Sequence, residues 1–276
     1  MKTCRWIILP SALSVVGIVF AIFKFENPET WSVMLGALAV VWTLCYQANE
    51  TARNAVIDRF FKMLDYHNNN VNILSVAHVD LEKEDVRSEN RRAFVVLKIQ
   101  LHKLICIVRE VNNDLDLKLY DDEIIDIAYV SFYYGIDKEW GHFLKDKLSK
   151  YNSGNLMVDK LLQKKEELDE KFKIGRTNQT SLSAYFRNMY NAIKLIDSSN
   201  LLTENEKKQY VTILRAQLSN PELYILFFNL LSRFGKKWKK KEYIKKYEFI
   251  KNLPLRYCSG FEPSQYFDIK FEEDEL

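Results

Sequence analysis

The chain has 276 residues, of which 47% are hydrophobic and 28% are charged, and its formal net charge is +3 at pH 7. This charge is too small to indicate general affinity for nucleic acid, although local basic clusters matter separately. The four cysteines, Cys4, Cys45, Cys106 and Cys258, show no metal-site or redox spacing, so we expect reduced structural thiols.

The first 48 residues predict a transmembrane helical hairpin. Residues 6–23 and 31–48 are each 18 residues long and carry no charge. At about 1.5 Å per residue each segment spans roughly 27 Å, close to the hydrocarbon thickness of a bilayer, where a helix satisfies its own backbone. A signal peptide would have a shorter apolar region and a cleavage site, and a soluble core hairpin would have polar residues at helical spacing.

The charges around this hairpin predict its orientation. Basic residues flank both outer ends, namely Lys2, Arg5, Arg53, Arg59 and Lys62. The connecting loop has a single lysine against Glu26 and Glu29. The positive-inside rule therefore predicts a multi-pass protein of the bacterial inner membrane with both termini in the cytoplasm. Residues 49–276 would then form a cytoplasmic domain.

Small residues recur at three- and four-residue spacing in both apolar segments. They are Ser14, Gly17 and Ala21 in the first segment, and Ser32 and Gly36 in the second. Such spacing lets helices approach one another closely in lipid. Because two helices cannot enclose a pore, we expect the active form to be a homo-oligomer.

From residue 49 onward the sequence predicts an all-α domain. Eight glycines and five prolines in the whole chain leave few breaks, and no stretch shows the sustained alternation of a strand. The second membrane helix is expected to continue through residues 49–75 and to weaken near residues 68–70, where three asparagines compete for backbone bonds. Further helices are predicted at 91–111, from 121 to Gly135, at 137–150 and at 156–172. Residues 175–180 are the best candidate for an internal boundary.

The segment 181–253 is the most apolar part of this domain. It predicts helices at 182–196, 204–218, 222–234 and about 241–253. Residues 219–222 read Ser-Asn-Pro-Glu, which is a cap residue, a proline in the first turn and an acid behind it. The helix that follows is apolar on every side yet too short to span a bilayer, so we expect it at the centre of the core. Within it, Asn229 is expected to be a satisfied buried amide, with a binding role as the alternative.

Arg187 and Arg215, which lie within apolar helical sequence, form the first candidate binding site. They either make buried or half-buried ion pairs, with Glu222 and Asp197 as possible partners, or belong to a pocket that recognises a trigger through carboxylate or phosphate. The candidate trigger-binding residues are Tyr185, Arg187, Arg215, Gln217 and Glu222, with Tyr190 beside them.

A lysine-rich segment, residues 236–246, is the second candidate. Its seven lysines are interleaved with Trp238 and Tyr243. The segment is either a solvated helix face or a contact for an anionic partner, which would be inner-leaflet lipid, RNA or DNA. The candidate contact residues are Lys236, Lys237, Trp238, Lys239, Lys240, Lys241, Lys245 and Lys246.

Four segments of the chain have sequences that are similar to those of a known family. Residues 185–197 read YFRNMYNAIKLID, residues 210–229 read YVTILRAQLSNPELYILFFN, residues 247–253 read YEFIKNL, and residues 60–74 read FFKMLDYHNNNVNIL. With the paired apolar segments, they resemble the AbiC-like family of phage abortive infection proteins. The chain has Ser183 and Ala184 before Tyr185 where the family pattern has a Gly-His pair. The resemblance implies defence against phage by death or arrest of the infected cell. It also makes a sensor complex, such as a retron reverse transcriptase with its RNA or DNA, an expected partner.

No constellation of residues in the sequence predicts a catalyst. All-helical toxin nucleases of the HEPN type use an Arg with a His about four to six residues further on, whereas Arg59 precedes His67 by eight residues and Arg92 precedes His102 by ten. Phosphate-binding loops, nucleophile elbows and zinc motifs are absent from the sequence. We therefore expect no cofactor, no metal, and a non-enzymatic effector that disrupts the inner membrane. The alternatives are a membrane-anchored helical toxin enzyme, such as a ribonuclease, and a membrane-tethered adaptor.

Overall fold

A computed structural model of the chain describes residues 28–79, 85–138, 141–151, 153–168 and 177–275. Helices dominate these residues, in agreement with the expected all-α class, and the exception is one two-stranded antiparallel sheet. The first predicted membrane segment, residues 6–23, lies outside the described residues.

The elements are numbered in chain order. The helices are α1 (Pro28–Asn72), α2 (Arg91–Asp114), α3 (Asp121–Tyr134), α4 (Gly141–Leu148), α5 (Gly154–Leu168), α6 (Gln179–Ser198), α7 (Glu204–Arg215), α8 (Asn220–Leu231), α9 (Lys236–Lys240), α10 (Tyr243–Tyr247) and α11 (Pro263–Tyr266). The strands are β1 (Ser75–Val79) and β2 (Asp85–Glu89). Short 3-10 turns lie at Arg233–Gly235, Leu255–Tyr257 and Glu272–Glu275.

Helix α1 joins the second apolar segment to the residues that follow it, which confirms the predicted continuity. The helix passes residues 68–70 without a break, so the predicted weakening there is wrong. His67 and Val71 are buried on this turn, and their packing outweighs the modest helix propensity of asparagine. Among the described residues, one helix is long and apolar enough to cross a membrane, Trp31–Asn72.

The β-hairpin is a feature that the sequence did not predict. Strands β1 and β2 pair in register, with Ser75 opposite Glu89 and Val79 opposite Asp85. The second strand, DVRSE, is short and largely polar, so its sequence gives no strand signal. A lone hairpin is marginally stable in water, and this one packs against α2, with Leu74 and Val76 buried.

The described residues fall into two compact units. The first contains the chain up to Lys62 together with Lys194–Tyr210, and the second contains Met63–Ile193 together with the chain from Val211 onward. Within the first unit, Arg53 Nη2 donates to Glu206 Oε1 at 2.5 Å, and the Phe60 ring packs edge-on against Tyr210 with centroids 5.4 Å apart. The proposed boundary near residues 175–180 stays a prediction.

Helix α8 lies at the centre of the second unit, as predicted. Its residues 222–230 are all buried, and the helix packs against α2 and α3. Ser219 and Glu222 form a reciprocal capping box at its start, and a proline lies in its first turn. Asn229 is a satisfied buried amide, because its Nδ2 donates to the Tyr129 hydroxyl at 2.8 Å.

The single helix expected at about 241–253 does not form. Within this range only Tyr243–Tyr247, helix α10, is helical, and the short helix α9 ends before it at Lys240. Glu242 lies between them in a left-handed conformation with φ 52°, and Glu248 ends α10 with φ 48°. The reason is packing: Ile244 and Phe249 are both buried, yet on one continuous helix they would point about 140° apart. Breaking the helix brings both side chains into the core.

Phe228→Asp is expected to unfold the second unit. Phe228 has no solvent exposure, and an unpaired carboxylate in its place costs several kcal/mol in addition to the lost packing. Urea unfolding of the full chain in detergent tests this, with Ile213→Asp as the control because Ile213 on α7 is 39% exposed. Equal midpoints for Phe228→Asp and the parent protein would contradict the position of α8 in the core.

Candidate functional site

A buried carboxylate joins several helices of the second unit. Glu222 has no exposure, and its Oε1 accepts from the Tyr185 hydroxyl at 3.0 Å. Its Oε2 accepts from the Ser219 backbone N–H at 2.8 Å and from Ser219 Oγ at 2.5 Å. Arg91 Nη1, from the first residue of α2, lies 3.9 Å from Oε2. Buried charges persist only where such donors replace water, so these contacts fix where α2, α6 and α8 meet.

His67 of α1 completes this group, which we call the Glu222 cluster: Glu222, Tyr185, Ser219, Arg91 and His67. The His67 ring has no exposure and lies 4.8 Å from the Tyr185 ring, centroid to centroid. Neither of its ring nitrogens has a hydrogen-bond partner among the described residues. Burial, and after it the charge of Arg91, lowers the pKa of His67 to about 4. The imidazole is therefore neutral at neutral pH.

The structure brings together two of the five predicted trigger-binding residues, Tyr185 and Glu222. Arg187 is exposed, and its Nη2 donates to Ser183 Oγ at 2.8 Å. It lies on a different face of α6 from the buried Tyr185, because two residues along a helix correspond to about 200° of rotation.

The other two predicted residues lie near the end of α7. Arg215 is half-buried and donates to the Glu248 carbonyl at 2.9 Å, and Gln217 is half-buried with no hydrogen-bond partner for its Oε1 among the described residues. Among the described residues, Arg91 lies within ion-pair distance of Glu222. The expected ion pairs of Arg187 and Arg215 with Glu222 or Asp197 stay a prediction. Only the tertiary fold brings Arg91 to this carboxylate.

A second buried ion pair, which sequence reasoning missed, ties α3 to the turn after α8. Arg233 Nη2 and Nε donate to Asp126 Oδ2 at 2.6 and 2.9 Å, and the Arg233 backbone N–H donates to Oδ1 at 2.7 Å. The Tyr151 hydroxyl and Lys150 Nζ reach the same carboxylate at 2.8 and 3.0 Å. Burial alone would raise the pKa of Asp126, but these hydrogen bonds lower it to about 2. Because the Asp126 carboxylate is fully hydrogen-bonded, this ion pair fits a structural role, in which it holds α3 to the turn after α8.

A Ser–His contact lies at the C-terminal segment. His102 Nδ1 is 2.7 Å from Ser259 Oγ, and the Tyr224 hydroxyl is 2.6 Å from the same oxygen. Ser259 has φ 56°, and its carbonyl accepts from Arg109 Nη1 at 3.2 Å. The other ring nitrogen of His102 faces Cys106 Sγ at 3.8 Å rather than a carboxylate. These contacts anchor the segment to α2 and α8, and they lack the orienting acid of a catalytic triad.

The lysine-rich segment presents its charges to solvent and its aromatic rings to the core. Six of its lysines are exposed and Lys246 is half-buried. Lys245 Nζ bonds to Asp268 at 2.6 Å. Trp238 and Tyr243 are buried and pack against Tyr190, with centroids 5.4 and 5.8 Å away. The buried Trp238 ring is therefore unavailable for stacking on bases, which corrects its predicted role as a contact residue. The contact of the exposed lysines with an anionic partner stays a prediction.

The packing residues of the second apolar segment lie on the exposed part of α1. Apart from the neighbouring residues and backbone of α1 itself, no atom of the described residues lies within 4 Å of the position that a Cβ on Gly36 would take, so this face is open to a neighbouring helix. Ser32 Oγ donates to the Glu29 carbonyl at 2.8 Å, so this hydroxyl makes its hydrogen bond within its own helix. Ser14, Gly17 and Ala21 lie outside the described residues.

His67→Phe is expected to flatten the dependence of stability on pH. Between pH 6.5 and about 4 the unfolded chain takes up a proton at His67 that the folded chain does not, so stability falls as pH falls. From pH 7 to pH 5 this residue accounts for a loss of about 2 kcal/mol in the free energy of unfolding. Phenylalanine fills the same space without two unpaired nitrogens. Urea unfolding at both pH values, with exposed His142→Phe as the control, checks this; an unchanged pH dependence in His67→Phe would refute it.

Comparison with known proteins identifies a family for part of the chain. The model of the family described as "Putative phage abortive infection protein" matches residues 177–257. The match contains Tyr185, Glu222 and the lysine-rich segment, and it confirms the resemblance seen in the sequence. No curated protein and no solved structure matches the chain. Residues 177–257 are therefore similar to this family of phage abortive infection proteins.

Proposed function

We propose that the chain is a membrane-anchored phage-defence effector that assembles on a trigger and permeabilises or depolarises the inner membrane. The family of residues 177–257 points to phage defence. The observation that carries the membrane part of the proposal is the exposed apolar half of α1.

Within the part of the chain that the structure describes, the apolar part of α1 packs against no protein core. Its most apolar 18-residue window has a mean hydropathy of 1.4, and none of it is buried. Val33 is 72% exposed, Leu44 59% and Trp42 45%. Each such side chain gains about 1.5–3 kcal/mol when it leaves water. A core helix of a soluble protein would be covered, so lipid or a second apolar helix is the expected surrounding.

The proposed membrane action requires several copies of the chain to assemble. With residues 6–23 as the second span, each copy contributes two helices, too few to enclose a pore. The open face at Gly36 supports close contact between copies. In the resting state, a sensor complex such as a reverse transcriptase with its RNA or DNA would hold the effector inactive, and a phage-derived trigger would release it.

A toxin enzyme is the second candidate, and the Ser259–His102 contact is the observation that favours it. A serine 2.7 Å from a histidine nitrogen, in a left-handed backbone conformation, has two features of an activated nucleophile. The two candidates predict opposite mutational outcomes. Assembly requires the face of α1 that contains Gly36, whereas an enzyme would require Ser259 and His102.

Gly36→Leu is expected to abolish protection against phage while leaving membrane insertion intact. Leucine adds bulk at the contact face without reducing apolarity, so assembly fails. Ala37→Leu is the matched control, since it adds comparable bulk about 100° further round the helix. Survival after phage challenge and cross-linking of the membrane fraction are the measurements. His102→Gln and Ser259→Ala should retain protection. Loss of protection in these two variants, with Gly36→Leu active, would favour the enzyme.

The topology is tested with reporters. Positive charge at both outer ends of the hairpin predicts that both termini face the cytoplasm. A reporter that is active only in the periplasm should be silent after Leu276 and active when inserted between Glu26 and Glu29. Strong periplasmic activity at the C-terminus would contradict the two-span arrangement.

A further inference from the structure

We propose that a basic cavity at the start of α2 binds a small phosphorylated molecule of nucleotide size. The cavity lies in the second unit, where the end of α1, strand β2 and the first turn of α2 come together. It is separate from the lysine-rich segment and from the Ser259 contacts. The ability to bind does not depend on the membrane action proposed above.

The cavity has the size of a ligand site. Its volume is about 550 Å³, and it is lined by Asn72 and residues 87–92. Sites for small molecules commonly range from about 300 to 1,000 Å³. The residues that line it include three arginines together with Asn72, Asn90 and Ser88, whose amide and hydroxyl groups are of the kind that bonds to a sugar or a base.

The charge of the lining favours an anion. Arg87, Arg91 and Arg92 line the cavity against one acid, Glu89. Within the described part of the chain, Arg87 and Arg92 are exposed and have no ion-pair partner. Guanidinium groups bind phosphate oxygens with paired, charge-assisted hydrogen bonds. Three of them around one concave surface suit a di- or triphosphate better than a single carboxylate.

The start of α2 has an electrostatic conflict that an anion would relieve. A helix N-terminus carries partial positive charge and is normally balanced by an acid in the first turn. Helix α2 has no acid there and instead begins with Arg91 and Arg92. Its N-cap residue, Asn90, provides no side-chain cap and has φ 56° and ψ −139°, a conformation that disfavours residues other than glycine. A phosphate here would bond to free backbone N–H groups and neutralise both arginines.

Arg91 links this cavity to the Glu222 cluster. Its side chain is 50% exposed, it lines the cavity, and its Nη1 lies 3.9 Å from the buried Glu222 carboxylate, at the outer limit of an ion pair. A phosphate in the cavity competes with Glu222 for this guanidinium. Ligand binding would therefore alter the charge balance around Tyr185 and the start of α8. The interpretation of the ligand as the trigger rests on the proposed function, whereas the binding site does not.

The test is direct binding to the purified full-length chain in detergent, by calorimetry, with ATP as the probe and adenosine as the phosphate-free control. We expect ATP to bind at least about tenfold more tightly than adenosine, because the phosphates supply the charged contacts. The double variant Arg87→Gln/Arg92→Gln should weaken ATP binding by about tenfold or more. The matched control Lys194→Gln/Lys208→Gln removes the same charge at two exposed positions outside the cavity and should bind ATP as the parent does.

The proposal fails if ATP and adenosine bind equally, if ATP does not bind, or if the two double variants lose affinity to the same extent. It also fails if single-stranded RNA binds to this cavity and ATP does not displace it, because the ligand would then be a nucleic acid. Both arginines are exposed, so the variants should fold, and Arg92→Gln alone repeats the test with one charge removed. None of these measurements involves membrane permeability, so a failed permeability assay would leave this result unchanged.

Discussion

The carboxylate of Glu222, removed from water, constrains how the helices of the second unit meet. Its oxygens are satisfied by Tyr185 of α6 and by Ser219 at the start of α8, and its nearest cation is Arg91 of α2. His67 of α1 packs on the same tyrosine. Tyr185 and Arg91 reach this carboxylate from two other helices, whereas Ser219 belongs to the cap of α8 itself. A shift of α2 or α6 would therefore remove a contact from a buried carboxylate.

The first turns of helix α1 are constrained in the opposite way, because they need an apolar surrounding rather than buried polar partners. Its first turns carry large apolar side chains that no part of the described chain covers, and its last turns carry Leu64, His67 and Val71 into the core of the second unit. One continuous helix thus combines a part that needs an apolar surrounding with a part fixed by tertiary packing. This combination supports the function proposed above, in which a cytoplasmic event and a membrane event are carried by the same chain.

Local sequence patterns predicted the parts of the fold that depend on neighbouring residues. The start of α8 was predictable because the cap, the proline and the acid lie within four positions, and its central place followed from an apolar surface on every side. The hairpin was missed because β2 is polar. The proximity of Arg91 to Glu222 was missed because the two residues are distant in sequence, and the burial of Trp238 depends on its contact with Tyr190 of α6. These features depend on tertiary contacts that periodicity does not encode.

Membrane potential in phage-challenged cells tests the central claim most directly. Cells that carry the full chain are compared with cells that carry residues 49–276 alone, with a potential-sensitive dye and RNA integrity followed in the same culture. The account predicts that the full chain depolarises the cells before RNA is degraded, and that the truncated chain neither depolarises nor kills them. Intact potential in dying cells, with killing retained by residues 49–276, would contradict it.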